Sequence, residues 1–244
     1  MTLTRADLEA DRLRKLFVQA NPHVPVLSSA ELEASLQALL ADHPPGEDVW
    51  VFAYGSLIWN PIIQFRERHV ATVHGYHRRF CLWSHIGRGS LAHPGLVLGL
   101  DAGGCCRGIA FRIDAVQAVG ELRLVWRREM VLGSYSPRWV NITTGERQVR
   151  AIAFIVNRSH SSYAGRLPVE VVLKTMLSAS GYLGTPAEYL LKTIQALLEH
   201  GVRDEYLLEL RKRVLAMHPE AAHLTRSAEA VAGLQGKQRL GPAV

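Results

Sequence analysis

The chain has 244 residues, 48% of them hydrophobic and 20% charged. That is enough apolar material for one substantial core with a small appendage, and it excludes a disordered or fibrous protein. The net charge is +6, unevenly spread: residues 1–47 carry four basic and seven acidic side chains, the rest 24 basic and 15 acidic. Of the 28 basic residues 23 are arginine, the side chain suited to paired hydrogen bonds with carboxylate or phosphate, so the main body is expected to meet an anionic ligand.

Two short helices are expected in residues 1–47. Thr4 caps the first, which places Leu8, Leu13, Leu16 and Phe17 on one face and is broken by Pro22 and Pro25. Ser28 or Ser29 caps the second, where Leu32, Leu36, Leu39 and Leu40 repeat at helical spacing until His43-Pro44-Pro45-Gly46 turns the chain. This segment reads as a helical extension packed on the main body. The run Val49 to Tyr54 is a buried strand that Gly55-Ser56 ends. Further strands are expected over Val70 to Val73, Arg79 to Trp83, Leu96 to Leu100, Cys105 to Arg112, Trp139 to Ile142 and Gln148 to Ile155. Turns are expected at Asp101-Ala102-Gly103-Gly104 and Thr143-Thr144-Gly145-Glu146. Helices follow over Val116 to Met130, Val169 to Ser180, Pro186 to Glu199 and from Tyr206, then a polar tail. The pattern gives an α+β fold with a curled sheet or small barrel and flanking helices. The expected division is an extension over 1–47, a main domain over 48–217 and a tail over 218–244.

Three cysteines, Cys81, Cys105 and Cys106, do not make a disulfide framework and read as reduced thiols in a core strand. Residues 1–18 have no apolar signal core, and no stretch approaches the roughly 20 apolar residues of a membrane span. A cytoplasmic protein without membrane partners is the expectation.

Three segments are candidates for chemistry. In Phe52-Ala53-Tyr54-Gly55-Ser56-Leu57 a strand stops at a glycine, where successive backbone N–H groups form a concave anion site, with the Ser56 hydroxyl and the Tyr54 ring beside it; an ordinary turn is the alternative. In Trp126-Arg127-Arg128-Glu129-Met130 a carboxylate ends a helix among apolar neighbours. It is either a general base whose pKa burial raises and the arginines lower, or a solvated surface group. In Tyr76-His77-Arg78-Arg79-Phe80 the two arginines face opposite sides of a strand, so that one reaches a pocket, unless both lie at the surface. The eleven histidines show no metal-ligand spacing, there is no C-x-x-C, and neither a dinucleotide fingerprint, a phosphate-binding P-loop nor G-x-S-x-G is present. No metal and no cofactor are therefore expected. The basic residues stand mostly singly in strands without interleaved aromatics, which argues against nucleic acid as a partner.

These segments resemble the ChaC family of γ-glutamylcyclotransferases. The run Trp50 to Trp59 looks like its opening strand and Y-G-S-L motif, and Tyr76-His77-Arg78-Arg79-Phe80 like its R-R-F strand. Trp126-Arg127-Arg128-Glu129 resembles the segment holding its catalytic glutamate. Tyr163-Ala164-Gly165 with Pro168 resembles its Y-x-G segment, and Asp204-Glu205-Tyr206-Leu207 its E-Y-L motif. All occur in the family's order over about residues 49–215, and Ala53 departs from the glycine many members carry. The resemblance implies a small curled barrel with flanking helices and a cofactor-free lyase that cyclises the γ-glutamyl group of glutathione to 5-oxoproline and releases cysteinylglycine. Glu129 would be the catalytic carboxylate. Val51, Phe52, Ala53, Tyr54, Gly55, Ser56 and Leu57 would hold the substrate, with Arg78 or Arg79, Tyr163 and Tyr206 as further contacts. Alternatives are the same reaction on other γ-glutamyl amino acids or amines, and a non-catalytic γ-glutamyl-binding protein. The oligomeric state stays open, a monomer being compatible.

Overall fold

A computed structural model describes residues 3–20 and 24–217. The predicted break at Pro22, and the tail over 218–244, lie outside them. The described residues form eight helices and five strands. Helices α1 (Arg5–Glu9), α2 (Arg12–Ala20) and α3 (Ser29–Leu40) precede strand β1 (Val49–Ala53) and the short helix α4 (Ser56–Trp59). Strands β2 (Glu67–Ser84) and β3 (Gly95–Ile113), helix α5 (Ala118–Glu129), and strands β4 (Tyr135–Thr144) and β5 (Arg147–Val156) follow. Helices α6 (Val169–Ser178), α7 (Pro186–Glu199) and α8 (Glu205–Met217) end the described chain.

The strands close into a barrel in the order β1-β3-β2-β4-β5. β1 runs antiparallel to β3, with Val49 opposite Ile113 and Ala53 opposite Ile109, and parallel to β5, with Val51 opposite Ile152. Both faces of β1 are covered, which is why its sequence is a continuous apolar run rather than an alternation. β5 is likewise buried from Ala151 to Val156. Trp126 of α5 packs edge-on against Phe154 of β5, with ring centroids 5.2 Å apart, so the helix that ends in Glu129 is fixed to the barrel through the core.

Capping fixes the helix starts. Thr4, Ser28 and Thr185 each accept from the backbone N–H three residues on, and Asp7, Glu31 and Glu188 return the bond to the cap residue's backbone N–H. Ser28, not Ser29, is the cap of α3. The first predicted helix is in fact two. Asp11 adopts φ 55°, a left-handed conformation that Asp tolerates better than most residues, and the chain bends there between α1 and α2. Leu8, Leu13 and Phe17 are still buried together, now with Leu124 and Val131.

The predicted strand pairs 70–73 with 79–83, and 96–100 with 105–112, are each one long strand. Gly75 at φ 83° faces Gly103 and Gly104 at φ 101° and 73°, where the register of β2 on β3 shifts by one residue. The glycines make a bulge inside the ladder instead of the reverse turn expected at 101–104. Cys81 and Cys106 are buried, whereas Cys105 is exposed, because neighbours along a strand face opposite sides. No helix among the described residues is long and apolar enough to cross a membrane.

Candidate active site

β1 delivers Tyr54, and the chain then turns through Gly55 into α4 with Ser56 as its first residue. A Cβ on Gly55 would lie 2.6 Å from the Tyr189 hydroxyl, so only glycine lets the backbone pass this close to the α7 side chain. The opening amides of α4, Ser56 and Leu57, have no acceptor within the helix. Arg78 fixes the turn from behind. Its Nη1 donates to Tyr54 O at 3.0 Å, its Nη2 donates to Arg107 O, and its Nε lies 2.9 Å from Asp204 Oδ2.

Glu129, the last residue of α5, faces this turn. Its Oε1 lies 3.0 Å from Arg128 Nε, and the two side chains are 14% and 8% exposed. Burial raises the Glu129 pKa above the ordinary carboxylate value, and the Arg128 charge and hydrogen bond only partly offset it. Arg127 points elsewhere and donates to Leu8 O and Glu9 O, both at 3.1 Å, so only one of the two adjacent arginines acts on Glu129. Arg128 also donates to Asn60 O, just beyond α4.

Three tyrosines complete a tight pocket with Gly55, Ser56 and Glu129: Tyr54, Tyr135 and Tyr189. Tyr54 donates to Phe154 O at 2.8 Å and Tyr135 to Leu98 O at 3.0 Å. Burial holds the Tyr54 and Tyr135 phenols well above their ordinary value, and the Glu129 charge adds to the effect. Tyr189 is pushed up to about 12, by burial first and then by Glu129, with Arg88 and Arg128 acting the other way. All three are neutral near pH 7, so they offer hydrogen bonds and not a base.

The pocket opens into a cavity of about 780 Å³, which shares Ser56, Glu129, Tyr135 and Tyr189 with it and is also lined by Arg88, Lys192 and His85. The Arg88 guanidinium lies 5.4 Å from the centre of the Tyr189 ring, donates to Leu183 O and pairs with Glu188 at 3.8 Å. Among the described residues Lys192 forms no ion pair, and its Nζ sits 5.5 Å from the Trp59 ring centre. Among the described residues, no group of three or more His, Cys, Asp and Glu is placed to hold a metal.

Of the residues singled out in the sequence, Tyr54, Gly55, Ser56, Leu57 and Glu129 converge here. Val51, Phe52 and Ala53 do not line the pocket; they are core residues of β1 that carry the turn, and the Ala53 methyl is absorbed in the barrel interior. Arg78 and Arg79 do face opposite sides, but neither reaches the pocket. Arg78 has its Nη1 and Nη2 taken by backbone carbonyls and its Nε beside Asp204, and Arg79 lies 4.0 Å from Asp101. Tyr163 donates to the same Asp101 at 2.9 Å, and Tyr206 accepts from Phe80 N at 3.4 Å. Both lie apart from Glu129 and act on the framework. Tyr135, Tyr189, Arg88 and Arg128 are the residues that sequence reasoning did not assign. Tyr135 follows Gly133-Ser134 directly after the Glu129 segment, the one local signal that could have found it.

The family model for ChaC-like protein matches residues 49–217, most of the chain. The chain belongs to the ChaC family. A glutathione-specific γ-glutamylcyclotransferase of Escherichia coli (strain K12) is 40% identical over 184 residues, covering 75% of this chain and 80% of that protein. Glutathione-specific γ-glutamylcyclotransferase 1 of Mus musculus is 33% identical over 178 residues, covering 71% and 79%. The crystal structure of a yeast γ-glutamyl cyclotransferase specific to glutathione superposes with a TM-score of 0.63 at 23% identity, over 70% of this chain and 99% of that one, and so shares the ChaC barrel. In this ChaC chain the matched segment contains β1, Glu129 and α7, and hence the whole tight pocket.

Proposed function

We propose that this protein cyclises the γ-glutamyl group of glutathione, forming 5-oxoproline and releasing cysteinylglycine. The observation that carries the reading is a buried carboxylate of raised pKa, Glu129, facing the Gly55–Ser56 turn where a narrow polar pocket opens into a wider cavity. The α-amine of a γ-glutamyl compound attacks its own γ-carbonyl carbon. A carbon–nitrogen bond forms, a five-membered ring closes, and the amide bond to the cysteinyl nitrogen breaks. The substrate supplies the nucleophile, so the protein's task is to fold it and to move a proton. Glu129 takes the proton from the α-ammonium group and gives it to the departing nitrogen, then carries across the proton that the ring nitrogen sheds, so that the lactam is neutral and cysteinylglycine leaves as an ammonium ion. The amides of Ser56 and Leu57 and the Ser56 hydroxyl are the donors for charge that builds on the γ-carbonyl oxygen. The neutral Tyr135 and Tyr189 hydroxyls line the γ-glutamyl end, and Lys192 faces the glycyl carboxylate of the leaving half. The names of the E. coli and mouse relatives support glutathione as the substrate. The cytoplasm, where glutathione and cysteine thiols stay reduced, is the compartment that fits.

Product analysis tests the reading. Protein treated with a chelator is incubated with glutathione and, separately, with γ-glutamyl-alanine. Equal amounts of 5-oxoproline and cysteinylglycine from glutathione alone are expected. Product from γ-glutamyl-alanine alone keeps the reaction and overturns the substrate, and no product from either overturns both.

A further inference from the structure

The residues ahead of β1 lie outside the segment matched by the family model, yet they build one wall of the cavity beside Glu129. Leu3, Leu13, Phe17, Val24 and Leu27 line it, with Leu132 from the barrel side. The wall is fastened to the immediate neighbours of the Arg128–Glu129 pair. Leu27 N donates to Val131 O at 3.0 Å, two residues past Glu129. Leu3 O accepts from Asn60 Nδ2 at 2.9 Å, and Asn60 O in turn accepts from Arg128. Farther along α5, Arg5 grips both oxygens of Glu121, at 2.7 and 2.9 Å.

A tripeptide with a carboxylate at each end and a thiol between them gains little from such a surface. Its γ-glutamyl end occupies the polar pocket, and its glycyl carboxylate seeks a cation. An apolar wall continuous with the reacting pocket is useful to an apolar group attached to the leaving half. The cavity, at about 780 Å³, is of the size that accommodates a drug-sized ligand. We infer that the N-terminal segment forms an apolar subsite for a substituent on the cysteine sulfur, so that γ-glutamyl-cysteinyl peptides carrying an alkyl or aryl thioether are substrates and are preferred over the free thiol. This rests on the proposed cyclisation. The step is unchanged: the α-amine nitrogen bonds to the γ-carbon, the amide bond breaks, the proton moves to the departing nitrogen, and the carbon–sulfur bond is untouched.

Each methylene removed from water favours binding by about fourfold. With S-hexylglutathione as probe, kcat/KM for 5-oxoproline release is expected to exceed that for glutathione by at least about tenfold. In Leu27→Gln and Val24→Gln, two half-buried wall positions whose change leaves the barrel core intact, that ratio is expected to fall towards one. A wild-type ratio of one or less, with glutathione still turned over, overturns the subsite and leaves the cyclisation standing. A high ratio unmoved in both variants overturns its assignment to the N-terminal segment. No product from either substrate overturns the cyclisation, and the preference with it.

Discussion

Two carboxylates, Asp101 of β3 and Glu129 of α5, sit beside arginines, and their environments drive them in opposite directions. Asp101 of β3 is 1% exposed. Burial alone would raise its pKa, but Arg158 on Oδ1 at 2.7 Å, the Tyr163 hydroxyl on Oδ2 at 2.9 Å and the Ala102 N–H at 2.9 Å together bring it below the ordinary value. Glu129 has one partner, Arg128, and burial prevails. A carboxylate held by several donors ties strands and loops together and gives up its charge only in acid. One left short of donors exchanges a proton at milder pH. The contrast marks Glu129 rather than Asp101 as the candidate for chemistry more sharply than burial does, since both groups are largely removed from water.

The largest effect that would break this comparison is at Glu129. Glu129→Gln keeps an acceptor for Arg128 Nε but cannot carry a proton, so turnover is expected to fall by about 10²–10⁴-fold while circular dichroism and the unfolding midpoint report an intact fold. Near wild-type turnover would remove Glu129 from the reaction. Asp101→Asn should do the reverse. It replaces hydrogen bonds to a charged group, at a loss of about 2 kcal/mol in stability read from denaturant unfolding, while kcat per folded molecule changes by less than about threefold. Lost activity in a fully stable Asp101→Asn protein would return Arg79 and Tyr163, both grouped around Asp101, to the active site.

Much of this was legible in the residue order, for physical reasons that also mark where legibility stops. A buried strand ended by Gly55 and a helix ended by Glu129 are local patterns, and both stand as read, because β1 is covered on both faces and α5 presents Leu122, Val125 and Trp126 to the core. The partners of those ends are long-range. Tyr189 comes from α7, and nothing near it in sequence shows that its hydroxyl rests against Gly55. Arg78 invites a substrate role because of its charge, but its Nη1 and Nη2 donate to Tyr54 O and Arg107 O, carbonyls that only the closed barrel brings within reach, and its Nε lies beside Asp204. Gly75, Gly103 and Gly104 read as punctuation because positive φ serves a bulge as readily as a turn, and only the register across β2 and β3 tells the two apart.

The smallest expected effect is also the one that sharpens the comparison furthest, because it follows the two carboxylates through pH. Asp101 has a folded-state pKa below its unfolded value, so its contribution to stability is present above the unfolded pKa and fades as pH falls through the lower folded one. Glu129 has a folded-state pKa above its unfolded value, so the folded chain holds that proton more tightly, and stability declines as pH rises from the ordinary carboxylate value through the raised one. On the proposed mechanism activity runs the other way, since there the free enzyme needs Glu129 ionised to accept a proton. The acid limb of kcat/KM should therefore have its midpoint above 4.5, the unshifted glutamate value. Arg128→Met, which removes the one group opposing burial, should move that limb further up, and Asp101→Asn should leave it in place. A limb at or below 4.5 would mean that Arg128 outweighs burial, and Glu129 would then belong with Asp101 among the groups that hold the fold.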